Sequence, residues 1–278
     1  MTADRAAVGP VRAPRLHVMT FNIRRRMPHL LRRSPDAWSR RRSLVRRLVA
    51  AERPTVLCLQ EALSDQTAWA LASLGADYRG VGSGRGADGG GEGTPIVYDE
   101  RRLRLLTWTQ QALSDTPEVP GSRSWGNVFP RIVVSAGFAD RETGRRFTVL
   151  NTHLDPLSPR SRLMAARVLR RAVESRGEPV VLTADANAHV GSPPYRELTR
   201  GGLLRDAWTT ADRRLTENWG TYSNYRSPRR GGRRIDWLLV SGGITVEAAA
   251  VNAARFGGAA ASDHEPVQAV IRLGAGSE

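Results

Sequence analysis

The chain contains no lysine; all 42 of its basic residues are arginine. A GxxxxGKS/T loop is therefore impossible, which excludes a P-loop nucleotide hydrolase. Cysteine is reduced to Cys58, which excludes a disulfide scaffold and any zinc site built on cysteine pairs. No HExxH segment exists, so a zincin protease is excluded as well. No apolar run approaches the roughly 18 residues of a membrane-spanning helix. Met1–Pro14 is polar and lacks an apolar core, unlike a secretory signal. These absences lead to the expectation of a cytoplasmic protein with no membrane partner and no obligate protein partner.

What is present is ordinary in bulk and unusual in charge. Over 278 residues, 40% are hydrophobic and 25% charged, values of a globular protein and not of a disordered or collagen-like chain. The 42 arginines face 27 acidic residues, so 42 − 27 leaves a net charge of +15. A GC-rich genome explains arginine in place of lysine, but not this excess. Arginine binds phosphate bidentately and stays charged at any working pH, so the excess points to a polyanionic partner.

Residues 1–14 read as a flexible N-terminal tail and 15–274 as a single domain. Short apolar runs at 16–23, 55–60, 96–98, 103–109, 132–139, 146–152, 179–183, 235–240, 244–252 and 267–273 predict strands. Helices are predicted over 36–52, over 64–74 with Gly75 as its stop, and from a Ser158-Pro159 cap to Gly177. The Gly-rich segment 82–93 reads as a mobile surface loop. Strands dominate with helices interspersed, which indicates α/β packing with mixed sheets.

Polar residues recur where the apolar strands end: Asn22, Glu61, Asn151, His153, Asp185, Asn187, Asp236, and Asp263 with His264. One acid or amide at a strand end is usually a cap or turn. Several such places, all of acid/base or metal-ligand type, describe a cleft along one sheet edge. Carboxylate and amide oxygens are hard donors suited to Mg²⁺ or Mn²⁺.

In order, the segments MTFNI, LCLQEA, NTHLD, TADANA, RIDWLLV and ASDHEPV span residues 16–271. Together they resemble the endonuclease/exonuclease/phosphatase superfamily, the pancreatic-deoxyribonuclease-like fold, in a bacterial branch with few assigned substrates. The resemblance implies a four-layer α/β sandwich, two packed mixed β-sheets flanked by helices. It implies a divalent metal, Mg²⁺ or Mn²⁺, on Glu61 with Asn22 and Asp263. It also implies Asp185 as the base for an attacking water, Asn187 as its orienting amide, and His264, held by Asp236, as stabiliser of phosphoryl charge. It further implies His153 near the leaving group and Arg131 and Asn151 on substrate phosphate; Glu92 reads either as a partner of His153 or as a loop acid beside glycines. Two positions depart from the pattern. Arg24 stands where some family nucleases carry aspartate, so a second metal is not expected there. Pro156 follows Asp155, which therefore reads as a helix-entry residue.

The implied reaction is hydrolysis of a phosphate ester P–O bond by activated water. The favoured substrate is a soluble phosphorylated metabolite or nucleotide. DNA or RNA remains an alternative, since arginines at 24–26, 32–33, 40–42, 46–47, 226, 229–230 and 233–234 flank the expected cleft and Trp125, Trp219, Tyr222 and Tyr225 could stack bases. A third reading is a non-catalytic polyanion-binding protein. His17, His29, His189, Cys58 and Trp237 read as structural or bordering residues.

Overall fold

A computed structural model describes residues 6–28 and 34–274. The first five residues of the expected tail, together with His29, Arg32 and Arg33, lie outside the described residues.

The first half of the chain runs β1 (Arg15–Asn22), α1 (Trp38–Glu52), β2 (Val56–Gln60), α2 (Ser64–Leu74), β3 (Tyr78–Val81), β4 (Ile96–Asp99), β5 (Leu103–Ala112) and β6 (Ile132–Asp140). The second half runs β7 (Arg146–His153), α3 (Pro159–Glu174), β8 (Val180–Asp185), α4 (Pro193–Thr199), β9 (Leu204–Asp206), α5 (Ala207–Thr210), β10 (Arg213–Arg214), β11 (Asp236–Ser241), β12 (Ile244–Val251) and β13 (Val267–Leu273). Two mixed sheets result, ordered β10-β12-β13-β1-β2-β4-β3 and β5-β6-β7-β8-β11-β9. Each has a parallel pair near its centre, β1 with β2 and β7 with β8. Each pair is joined by a crossover helix, α1 or α3.

Period-2 alternation decides what each strand face meets. In β1, Leu16 and Val18 belong to the apolar layer between the sheets, whereas Met19 and Phe21 meet α1 through Val45, Leu48 and Val49. In β8, Val181 faces the inter-sheet layer, and Val180 and Leu182 pack with Ala166 and Leu169 of α3. Three apolar layers thus separate four layers of structure, the sandwich expected from the sequence. The α3 start is also as expected: Pro159 occupies the first turn, and Ser158 Oγ accepts from Ser161 N–H at 3.1 Å.

Three features depart from the sequence reading. The short elements β3, α4, β9, α5 and β10 have too few residues for a periodic signal. The tail is not loose where it is described: the backbone N–H groups of Ala7, Val8 and Gly9 donate to the buried carboxylate of Glu52 at 2.6–3.1 Å. The Gly-rich segment is a tight turn held by bonds from Gly84 N–H to Gly89, Arg85 N–H to Glu92 and Gly93 N–H to Ala62 carbonyls, all at 2.8–2.9 Å. A Cβ on Gly93 would stand 2.7 Å from the Ser83 carbonyl oxygen, so only glycine permits this backbone approach.

Candidate active site

The same alternation that builds the core builds the site. Asn22 follows Leu16 and Val18 in parity, His153 follows Phe147 and Val149, Asp185 follows Val181, and Asp236 precedes Leu238 and Val240. All four side chains therefore point between the sheets, at the strand ends where the apolar layer stops. Register brings them together: His153 lies opposite Asp185, and Asp185 opposite Asp236.

Asn22 Nδ2 donates to Asp185 Oδ2 at 2.8 Å and to Glu61 Oε1 at 3.1 Å, tying together carboxylates from both sheets. Its own carbonyl oxygen accepts from Arg24 N–H at 2.9 Å. Asn22 thus presents nitrogen to the two carboxylates, which makes it an orienting group for Glu61 where the sequence suggested a metal ligand. Burial opposes charge on Glu61, but His153, the Asn22 amide and Arg24 outweigh it and hold the carboxyl down at about 2. Burial, helped by Asp236, pushes Asp185 up against the pull of His153 and His264. His264 Nδ1 lies 3.0 Å from Asp236 Oδ2, and its Nε2 lies 3.8 Å from Asp185 Oδ2. Burial alone would favour neutral imidazole, yet Asp236 and Asp185 raise His264 well above its ordinary value. His153 behaves oppositely: burial lowers it to about 4. Asn187 Nδ2 lies 2.9 Å from His153 Nε2 and also donates to the Leu154 carbonyl. A neutral His153 accepts that first bond and carries its proton on Nδ1.

Strain gathers here. Arg24, Glu61 and Asn187 all have positive φ, at 55°, 54° and 47°, a conformation costly for residues other than glycine. The segment after β1 is held by two buried side chains. Arg41 Nη1 donates to Ile23 and Ala261 carbonyls and its Nη2 to those of Arg24 and Arg25, while Gln66 Nε2 donates to Arg24 O and Gln66 Oε1 accepts from Arg26 N–H.

Glu61, His153 and Asp185 each offer a ligand atom within 4.8 Å of the others. Arg24 links Glu61 at 3.5 Å to Asp263 at 3.8 Å, placing both carboxylates around one guanidinium. Oxygen donors of this kind fit a hard divalent cation. A cavity of about 440 Å³ opens above them, and its wall includes Arg24, Arg25, Arg85, Arg131, Phe129 and Tyr222. Arg131 is buried and paired with Asp155 at 3.4 Å, while its Nη1 has no hydrogen-bond partner among the described residues. A guanidinium on a cavity wall with a donor left unpaired suits an anionic ligand.

The sequence of residues 19–264 matches the model of the Endonuclease/Exonuclease/phosphatase family. The chain belongs to this family. Its fold is shared by an endonuclease/exonuclease/phosphatase from Bacteroides vulgatus, at 29% identity and a TM-score of 0.84 over 93% of this chain and 99% of the other. A mannosyl-6-phosphatase from Bacteroides thetaiotaomicron is 25% identical with a TM-score of 0.85, over 93% of this chain and all of the other. An uncharacterized protein of Acanthamoeba polyphaga mimivirus is 27% identical over 152 residues, 50% of this chain and 54% of its own length. The match thus spans about half the length of that curated relative.

Within this family fold, several expectations change. Glu92 does not meet His153: its carboxylate pairs with Arg85 at 2.9 Å and Arg25 at 3.3 Å. Asn151 is fully buried below the cavity. Its Nδ2 is committed to the carbonyls of Leu59, Thr94 and Pro95, and its Oδ1 to Gln60 and Thr183, which leaves nothing for phosphate. Asp155 enters the helix as expected, accepting from Leu157 and Ser158 N–H, and anchors Arg131 as well.

Among the arginines expected at the cleft, Arg24 and Arg25 line the cavity, while buried Arg41 and Arg234 are structural; Arg234 pairs with Asp206 at 2.9 Å. Of the four aromatic residues, Tyr222 reaches the cavity. Trp125 bonds Asp115, Tyr225 bonds Asp36, and Trp219 packs on the inter-sheet core. Cys58 is buried, with its thiol pushed up to about 12 by burial. Trp237 packs beneath the site against Tyr195, and His189 is exposed nearby. Arg85 and Phe129 are not legible as site residues in the sequence, because only the folded Gly-rich turn and the loop before β6 bring them to Glu61.

Proposed function

We propose that the protein is a divalent-metal-dependent phosphoesterase that hydrolyses a phosphate ester by direct attack of water. The observation that carries this reading is Asp185, held by Asn22 within a buried acid–amide–histidine cluster that opens into an arginine-walled cavity. Glu61, with Asp263 beside the same Arg24 guanidinium and Asn22 orienting it, would hold Mg²⁺ or Mn²⁺. A bound divalent ion supplies charge neutralisation on the phosphoryl group.

The chain's own groups account for the rest. Asp185 takes a proton from the attacking water, a role favoured by burial that raises its basicity. The water oxygen bonds to phosphorus in line with the departing ester oxygen. That oxygen leaves with the electron pair of the P–O bond and is released as an alcohol once protonated. Imidazolium His264, held by Asp236, and Arg131 stabilise charge on the non-bridging oxygens. Asn187, fixed against neutral His153, borders the same space and positions water and phosphate.

A compact substrate, a soluble phosphorylated metabolite or nucleotide, fits a cavity of about 440 Å³ better than a nucleic-acid strand, which needs a long basic track. The buried roles of Arg41 and Arg234 and the packing of Trp125 and Trp219 weaken the case for such a track. The mannosyl-6-phosphatase relative acts, by its name, on a compact phosphate ester.

The test is a panel of sugar phosphates, nucleotides, inositol phosphates, supercoiled plasmid and single-stranded RNA, each with Mg²⁺ and with EDTA. Metal-dependent release of phosphate from a small ester, lost in Asp185→Ala, is expected. Plasmid nicking lost in Glu61→Ala, with no small ester cleaved, would establish a nuclease instead. No turnover on any substrate would leave a binding protein.

A further inference from the structure

The hydrolytic scheme makes no use of one set of groups in the cavity, Glu92 and the two arginines that hold it. The tight turn delivers Arg85 and Glu92 as neighbours, through the bond between Arg85 N–H and the Glu92 carbonyl, and docks them beside Glu61 through Gly93 and Ala62. The side chains of Arg85 and Glu92 are 12% and 11% exposed, so water competes weakly for them, whereas Arg25 at 43% stands nearer the mouth. The Arg85 guanidinium lies 5.1 Å from the centroid of the Phe129 ring, and Phe129 lines the same cavity while half exposed.

This set selects its ligand by chemistry. Glu92 neutralises one of the two guanidiniums and sets a carboxylate between them, which weakens this set as a second phosphate site. A wholly apolar body would take water from these ion pairs and offer no hydrogen bond in return. Hydroxyl groups both donate and accept, and so match an array that reads donor, acceptor, donor from Arg85 through Glu92 to Arg25. The C–H face of a ring can pack on Phe129 at the same time. The space suits one such body beside a phosphate on Arg131.

We propose that Arg25, Glu92, Arg85 and Phe129 form a hydroxyl-recognition subsite, and that the substrate is a phosphate ester of a polyhydroxylated body of monosaccharide size. This rests on the phosphoesterase reading and narrows it.

Steady-state kinetics with Mg²⁺ test it, on glucose 6-phosphate, mannose 6-phosphate, fructose 1-phosphate and inositol 1-phosphate, each against phenyl phosphate. The wild type is expected to favour at least one polyol phosphate over phenyl phosphate tenfold or more in kcat/KM. Glu92→Gln is expected to reduce that ratio at least tenfold, mainly through KM. Phe129→Ala, which leaves every ionic group in place, is expected to reduce it in the same direction and decides the matter if Glu92→Gln does not fold. A wild-type ratio near one, or an equal loss on both ester types in the variants, overturns the subsite while phenyl phosphate turnover keeps the phosphoesterase reading. If no ester is hydrolysed, phenyl phosphate included, the two fall together.

Discussion

Asp236 Oδ2 lies 3.0 Å from His264 Nδ1, a contact between a strand of one sheet and the segment that leads into a strand of the other. Asp236 begins β11 of the six-stranded sheet, and His264 stands in the turn before β13 of the seven-stranded one. The pair closes the end of the sandwich and sets the charge of the imidazole. Asp236→Asn keeps the shape but removes that charge. It is expected to lower kcat by about 10²-fold or more, the scale of lost transition-state stabilisation, with an unchanged circular dichroism spectrum. A variant with wild-type kcat would remove His264 from the mechanism.

Glu61 couples metal and strain. With φ at 54°, Glu61→Gly relieves backbone strain of about 1 kcal/mol while deleting the principal carboxylate of the proposed metal site. Calorimetric titration of the wild type should show Mn²⁺ binding that Glu61→Gly loses. Undiminished Mn²⁺ binding would place the metal elsewhere.

Arg131 lines the cavity, with one nitrogen paired to Asp155 and one buried without a hydrogen-bond partner among the described residues. Arg131→Lys keeps the charge and loses the fork. Inhibition by inorganic phosphate should weaken about tenfold in this variant and further in Arg131→Ala, read as the inhibition constant. Equal inhibition of all three proteins would free Arg131 from phosphate binding.

Asn151 should behave as a structural residue. Asn151→Leu removes the side-chain donor to the Leu59, Thr94 and Pro95 carbonyls and an acceptor of Gln60 Nε2, although Pro95 keeps the Leu59 N–H and Gln60 keeps Thr20 Oγ1. A loss of about 2–4 kcal/mol in urea unfolding is expected, at about 1–3 kcal/mol per buried unsatisfied group without full additivity. KM of the folded fraction should stay within about twofold, since none of these groups reaches substrate.

His17 gives a pH signature far from the chemistry. It is fully buried, its Nδ1 is bonded to the Gly9 carbonyl, and its Nε2 has no partner among the described residues. Burial lowers it from 6.5 to about 4, against the opposing pull of Glu52. Between those values the unfolded chain binds a proton that the folded chain does not. Its contribution to stability is therefore complete above about pH 6.5 and lost as pH falls toward 4. Urea midpoints measured across this window should fall with pH, and His17→Gln should flatten the slope; a slope unchanged by the substitution would assign it to other groups.

The strands that carry the site are legible because their apolar runs are bounded at one end by an acid, amide or histidine, and period-2 alternation keeps that terminal residue on the inter-sheet face. This holds for Asn22, His153, Asp185 and Asp236, and the ordered segments around them carry the family resemblance. Glu92 departs from its expected partner for an electrostatic reason. Spacing places it in the correct loop, but two arginines distant from each other in the chain converge on its carboxylate. Asn151 departs from its expected role because a polar residue at the end of a strand looks the same whether it faces solvent or fills a buried hydrogen-bond network.

By itself, the sequence determined the layered α/β class, the helix caps and the acid–amide–histidine set, because these depend on local periodicity and on residue type. The tertiary structure alone decided how the arginines are divided. Arg41 and Arg234 are interior struts, Arg24 is a counter-ion to two carboxylates, and Arg25, Arg85 and Arg131 are the cationic wall of the cavity. The same side chain serves each role, and only its distance from partners remote in the chain, together with its access to water, distinguishes them.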